Sequence, residues 1–568
     1  MTAQRHDADT ASWPLRPWLM AALCAAAGLL VWSLGSWSWS LTESPWRLAA
    51  ITFTAIAAVS FALTVERRRW SWSLGFAAGW GGVIALVGWF TVRYNQNPTI
   101  FEWPFLAGMF AVLLAAPLFQ TLRDEGGWHF PYARLHGHAW ADAVIGAAAL
   151  AFVGVAFLLA LLISGLFQLI GIKFFWTLLN AGWFDWSLGG FAFGSAVGLL
   201  RERDALVATL QRLVMVVLSV LAPVLAAALT LFIASLPFTG LGILWRSSLS
   251  TTPLMLTAGA GAILLANAVI GNGRDDRASN RVLLVSAMAL ALAVLPLALI
   301  AAVSLAARIT QYGWTPERMW GVVAIGVALA YGLAGGWSVA RARKDFDDLL
   351  RPLQTRLALA VCALAVLLAL PIIDFGALSA QSQIARLASG RVPAELFDWR
   401  AMAFEFGPAG PERLREIARA GPPDQRRFAK IALAAKERHA VELDVESAKW
   451  EAQSGGLMRV QPAGRQVPPV LRSAIAGSYF CRGVPCVVTF VDDRRVVVVG
   501  SAGKGLHLQS SHFALDDAGL WQQNYDLQQT GKAQPLTTTD VATARVELRT
   551  VERRQLFVDD KPIGDAFP

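Results

Sequence analysis

The chain has 568 residues, 55% of them hydrophobic and only 16% charged, with a formal net charge of +9. A soluble domain carries about 25% charged residues, so this composition excludes an ordinary soluble enzyme, a disordered chain and a disulfide-dense secreted scaffold. The positive sum does not by itself imply nucleic acid, because what a charge does depends on where it sits.

Apolar stretches of the length an α-helix needs to cross a bilayer, about 20 residues, recur through the first two-thirds of the chain. They predict spans at 17–36, 47–64, 74–92, 103–121, 143–169, 184–200, 213–237, 252–270, 282–305, 319–339 and 357–375. The expected fold is an all-α polytopic membrane bundle of about eleven transmembrane helices, followed by a smaller α+β region ending in a β-rich domain. The first span is followed directly by others, so it reads as a membrane anchor and not as a cleaved leader. The segment 172–183 is too short to cross and is expected to lie at the interface.

Charge predicts the sides. With the N-terminus cytoplasmic, 18 Lys and Arg fall in the cytoplasmic loops and 6 in the opposite loops, the bias that orients membrane proteins. An odd number of spans then carries the C-terminus to the far side, the periplasm. The Gly-rich stretch 184–200 is the least hydrophobic of the eleven, and Gly190, Gly194 and Gly198 on one face predict a helix buried tightly among its neighbours. Twenty of the 23 Trp precede residue 340. Those at span ends, among them Trp18, Trp46, Trp103, Trp186, Trp320 and Trp337, read as headgroup-level anchors.

Ion translocation ordinarily places ionisable groups inside the hydrocarbon. Here Glu102, Asp142, Asp185 and Asp374 all lie near span ends, which ranks a transporter or channel for a small solute or lipid second. The stretch 123–138 holds His129, His136 and His138 but no Cys and no i, i+4 histidine pair, so it predicts a solvated loop and no metal site.

Between the ninth and tenth spans the chain reads Arg308-Ile309-Thr310-Gln311-Tyr312-Gly313-Trp314-Thr315-Pro316-Glu317-Arg318. Thr315 before Pro316 predicts a helix start. Arg308, Tyr312 and Arg318 form a candidate contact for lipid phosphate or another anion at the membrane boundary; a tight hairpin with snorkelling arginines is the alternative. This loop, with Tyr331-Gly332, Ser382-Gln383 and Phe397-Asp398 after it, resembles the bacterial membrane-protein family called the domain of unknown function 4153. The resemblance covers most of the chain to about residue 440 and implies topology in the bacterial inner membrane, with no activity attached.

From 376 onward charge rises, with 25 Lys and Arg against 22 Asp and Glu. Residues 1–375 are therefore read as the membrane domain, 376–450 as an extracytoplasmic helical segment, 451–476 as a linker and 477–568 as a small β-rich domain. Two amphipathic helices are expected, one burying Leu414, Ile417 and Ala418, the other Phe428, Ile431, Ala432 and Ala435. Val487–Val491 and Val496–Val499 predict a hairpin turned at Asp492-Asp493; Arg545–Arg549 alternates as a strand, and Leu556–Lys561 repeats the hairpin pattern. Cys481 and Cys486, separated by four residues and on the oxidising side, predict a disulfide.

No catalytic constellation emerges and no cofactor is implied. The sequence points to a scaffold or regulatory membrane protein that meets membrane lipids, presents a periplasmic domain to a protein partner and has no nucleic-acid partner.

Overall fold

The computed structural model describes residues 13–36, 44–94, 102–240, 250–435, 458–477, 485–501, 508–516, 520–523, 554–558 and 561–567, with Gly242, Arg438, Ala440, Val441 and Val445. Residues 1–386 with 405–410 form one compact unit; 387–404 and the chain from Pro411 form a second.

The first unit is helical: α1 (Arg16–Gly35), α2 (Pro45–Thr64), α3 (Trp70–Tyr94), α4 (Glu102–Glu125), α5 (Tyr132–Leu169), the short α6 (Phe174–Leu179), α7 (Gly182–Arg201), α8 (Asp204–Thr239), α9 (Thr251–Ile270), α10 (Arg281–Tyr312), α11 (Pro316–Ala342), α12 (Phe346–Ala369) and α13 (Phe375–Ala388). Among the described residues, nine stretches are helical, long and apolar enough to cross a membrane. One of them, Pro316–Ala369, runs through both α11 and α12, and α7 is not in the set. Large apolar side chains face outward in numbers no soluble protein shows, including Leu158 on α5 and Val224 and Leu231 on α8. Such a surface requires lipid around it.

Small residues set how closely the helices approach. α7 lies antiparallel along α1, and a Cβ added at Gly190 or Gly194 would run into the carbonyl oxygen of Cys24 or Met20. One at Gly198 would lie 2.6 Å from the Cα of Pro17, and α1 returns the fit with Gly28 against the Trp186 carbonyl. At the other end of the pair Gly182 faces the Trp32 indole. The same device joins α10 and α11: a Cβ at Gly332 would sit 2.7 Å from the Cα of Leu295, and one at Gly335 would sit 2.8 Å from the Ala291 carbonyl oxygen. The largest buried cluster runs from α8 to α12, with Leu290, Leu297 and Phe346 fully enclosed. α12 also meets α4, where the Cys362 thiol faces the Ala111 carbonyl.

One expectation changes here. Residues 132–138 are not a loop, because α5 begins at Tyr132, ahead of the apolar stretch. At 1.5 Å per residue a 38-residue helix is about 57 Å long, well beyond the roughly 30 Å hydrocarbon thickness, so its N-terminal turns lie outside the membrane core. The first compact unit takes in α13 through Arg386.

In the second unit Asp398 caps α14 (Trp399–Phe404) by accepting from the Ala401 amide at 2.9 Å. α15 (Ala409–Ala420) buries Leu414, and α16 (Pro423–Ala434) buries Phe428, Ala429 and Ala432. Trp399, almost fully enclosed, packs against Phe397 and Phe428 and donates its indole N–H to the Ala394 carbonyl.

A five-stranded mixed sheet follows in the order β1 (Met458–Gln461), β2 (Cys486–Phe490), β3 (Arg495–Ser501), β4 (Leu508–Leu515), β5 (Trp521–Gln523). The stretch expected to be a linker carries β1, which pairs in parallel with β2. It also opens α17 (Pro469–Gly477), whose Leu471 and Ile475 complete the core with Val488, Val498 and Phe513. Parallel pairing needs a crossover, and α17 sits within it. The β2–β3 hairpin turns at Asp492, whose carboxylate accepts from the Arg494 amide at 2.8 Å and the Arg495 guanidinium at 2.7 Å. β6 (Arg554–Val558) and β7 (Lys561–Phe567) form a separate hairpin. The expected strand at 545–549 lies outside the described residues, as does Cys481.

Candidate functional site

The predicted boundary loop turns sharply because Gly313 adopts φ +78°, a conformation that suits glycine. α11 opens with Pro316 at its first turn; Thr315 takes the extended backbone of a cap residue, but its side chain makes no capping bond. Arg318 reaches back to donate to the Gly313 carbonyl, and its guanidinium lies 5.5 Å from the centre of the Tyr312 ring. Tyr312 is more than half exposed.

This turn is gripped by α13. Gln383 Nε2 donates to the Tyr312 carbonyl at 3.0 Å and the Trp314 carbonyl at 2.9 Å. Arg386 donates to the Gln311 carbonyl at 2.6 Å and, more weakly, the Thr310 carbonyl at 3.4 Å. The Trp314 amide points at the Ser382 hydroxyl, 3.4 Å away. These contacts satisfy carbonyls that the end of α10 leaves without helical partners. A Cβ at position 313 would lie 2.7 Å from the Arg386 side chain, so the glycine also makes room for the grip. The family resemblance drew attention to Ser382 and Gln383 without a role. Arg386 was missed, although its spacing from both places it on the same helical face.

At the same level three rings gather: Trp103 stacks on Trp320 at 5.7 Å, and Phe375 meets Trp320 edge-on at 5.3 Å. They come from the start of α4, the start of α11 and the start of α13.

The opposite helix ends carry a different lattice, in which arginines bind carbonyls and carboxylates. Arg16 donates to the Val65 and Arg201 carbonyls; Arg123 donates to the Thr64 carbonyl at 2.6 Å and pairs with Glu66 and Asp124. Asp142 accepts from Gln120 at 2.6 Å and lies 3.7 Å from Arg201. Nearby, the fully buried Asp347 lies 2.9 Å from Arg277 and 2.8 Å from Arg351, which also donates to the Ile270 carbonyl at 2.7 Å.

Of the three histidines read as loop residues, His136 and His138 belong to this lattice, while His129 is exposed in the turn between α4 and α5. Trp140 donates to His136 Nε2 at 3.0 Å, so the ring carries its proton on Nδ1, facing Asn272 Oδ1. His138 pairs with Asp124 at 3.0 Å. The expected solvated loop is thus confined to 126–131, and from Tyr132 onward it gives way to a polar seam where the overhang of α5 packs against other helix ends.

The family model for the domain of unknown function DUF4153 matches residues 15–403. No curated protein and no solved structure matches the chain.

Proposed function

The chain belongs to the DUF4153 family, and from that premise we propose that it is an inner-membrane mount that holds a periplasmic domain for a protein partner. One observation carries this reading: α13, the last helix of the first unit, is fastened to the α10–α11 turn through Gln383 and Arg386.

Eleven crossings, cytoplasmic N-terminus and periplasmic C-terminus complete the proposal. The basic-residue bias supports it. So does α7, which runs beside α1 from Gly182 at Trp32 to Gly198 at Pro17; a helix that accompanies a crossing helix over its length has the same depth to span. Reporter fusions after residues 280, 312, 350 and 568 are expected to read in, out, in, out. Matching signals at 350 and 568 would remove the last crossing.

The fastening is tested by cross-linking in intact membranes with a short thiol reagent, using Trp314→Cys with Ser382→Cys. Efficient linkage is expected; linkage no better than that of distant cysteines would end the mount reading. Solute uptake by vesicles holding the purified protein, above empty vesicles, would put a transporter in its place.

On the periplasmic side we read Cys481 and Cys486 as a disulfide that staples the entry to β2. Cys486 opens that strand within the sheet core, and an oxidising compartment preserves such bonds. Mass spectrometry of alkylated, unreduced protein is expected to find the two joined; free thiols in freshly extracted protein would refute both the bond and the placement.

A further inference from the structure

We propose that Arg308 and Arg318, with Tyr312 between them, bind the phosphate of an anionic phospholipid. Arg308 and Tyr312 are four residues apart on the last turns of α10 and so share a face. The Arg318 guanidinium lies over the Tyr312 ring, 5.5 Å from its centre. The charges of Arg308 and Arg386 both act on Arg318 and repel it, with Glu317 the acid that offsets them. Arg386 is directed at the α10 carbonyls. Arg308 is exposed and makes no ion pair among the described residues. Like charges held together are relieved by an anion, and guanidinium groups suit phosphate oxygens through paired N–H donors.

The surroundings select a lipid over a soluble anion. Trp320, two residues beyond Arg318, belongs to the Trp103–Trp320–Phe375 cluster, and indole rings gather at headgroup depth. Val322, one turn along α11 from Arg318, is exposed, which places apolar surface directly below the cations. A headgroup phosphate at the arginines thus leaves its acyl chains along α11. This inference does not depend on the mount reading, since it requires only that these helices lie in a bilayer.

The full chain, purified in detergent, is titrated with phosphatidylglycerol or with phosphatidylcholine of the same acyl chains, and bound lipid is counted by native mass spectrometry. Phosphatidylglycerol is expected to bind preferentially, and its affinity to fall about fivefold per arginine removed, equivalent to about 1 kcal/mol each. Arg308→Gln alone tests this cleanly, because it breaks no described contact. Arg308→Gln with Arg318→Gln deepens the loss, while the double Lys variant retains much of the binding. Unchanged affinity in Arg308→Gln, or equal binding of phosphatidylcholine, overturns the proposal. Inorganic phosphate that displaces phosphatidylglycerol at matched concentration also overturns it, in favour of a soluble anion.

Discussion

At the scale of single residues, the arginines of the loops expected to be cytoplasmic are also bonded into the bundle. Arg16, Arg123 and Arg351 each donate to carbonyls of other helices, where the negative end of the helix dipole favours a cation. Asp347 is the hinge of this chemistry because it is fully buried between Arg277 and Arg351. Asp347→Asn is expected to lose about 3–5 kcal/mol, the usual cost of breaking a buried pair and stranding its partners; reversible unfolding in mixed micelles measures it. In the sheet, burial pushes the His512 imidazole below its ordinary range. The unfolded chain therefore takes up the proton first. The contribution of neutral His512 is complete above the ordinary value of about 6.5 and is lost as pH falls through the lower, folded one. Amide exchange in β3 and β4 is expected to quicken over that acid window, and His512→Gln to flatten the response; a pH-independent wild type would refute it. The positions of these basic residues were legible in the sequence, but their acceptors were not, since a backbone carbonyl has no residue type.

At the scale of elements, α7 shows what spacing reveals and what it hides. Three glycines at four-residue intervals predicted close packing, and the facing atoms are the carbonyls of α1. Gly194→Leu has no space to enter, so overpacking of about 1–3 kcal/mol or more is expected, together with a lower melting temperature in detergent. Gly146→Leu on α5, where an added Cβ meets nothing within 4 Å, serves as the tolerant control. α5 itself was foreseen too short, because hydropathy registers only its apolar part and Tyr132–Asp142 forms the polar overhang. β1 escaped notice for a related reason: four residues without strong alternation become a strand only because β2 lies beside them.

At the scale of the whole molecule, hydropathy displayed the membrane half plainly, while the grip of α13 on the α10–α11 turn was visible only as an unexplained Ser382-Gln383 pair. Gln383→Ala removes two carbonyl contacts and is expected to raise protease cleavage near α13 severalfold without disturbing insertion. Equal cleavage of variant and wild type would mean that the grip contributes nothing to order there.

The length of α5 carries one more consequence. Its apolar part, from about 143 to 169, would measure about 40 Å end to end if held upright, against a hydrocarbon layer of roughly 30 Å. Leu150, Leu158, Leu166 and Leu169 along it are all exposed, so this excess cannot be hidden against protein. The helix must lean, or the bilayer beside it must thicken. The protein therefore has a preferred membrane thickness, and lipids of graded chain length are the means to find it.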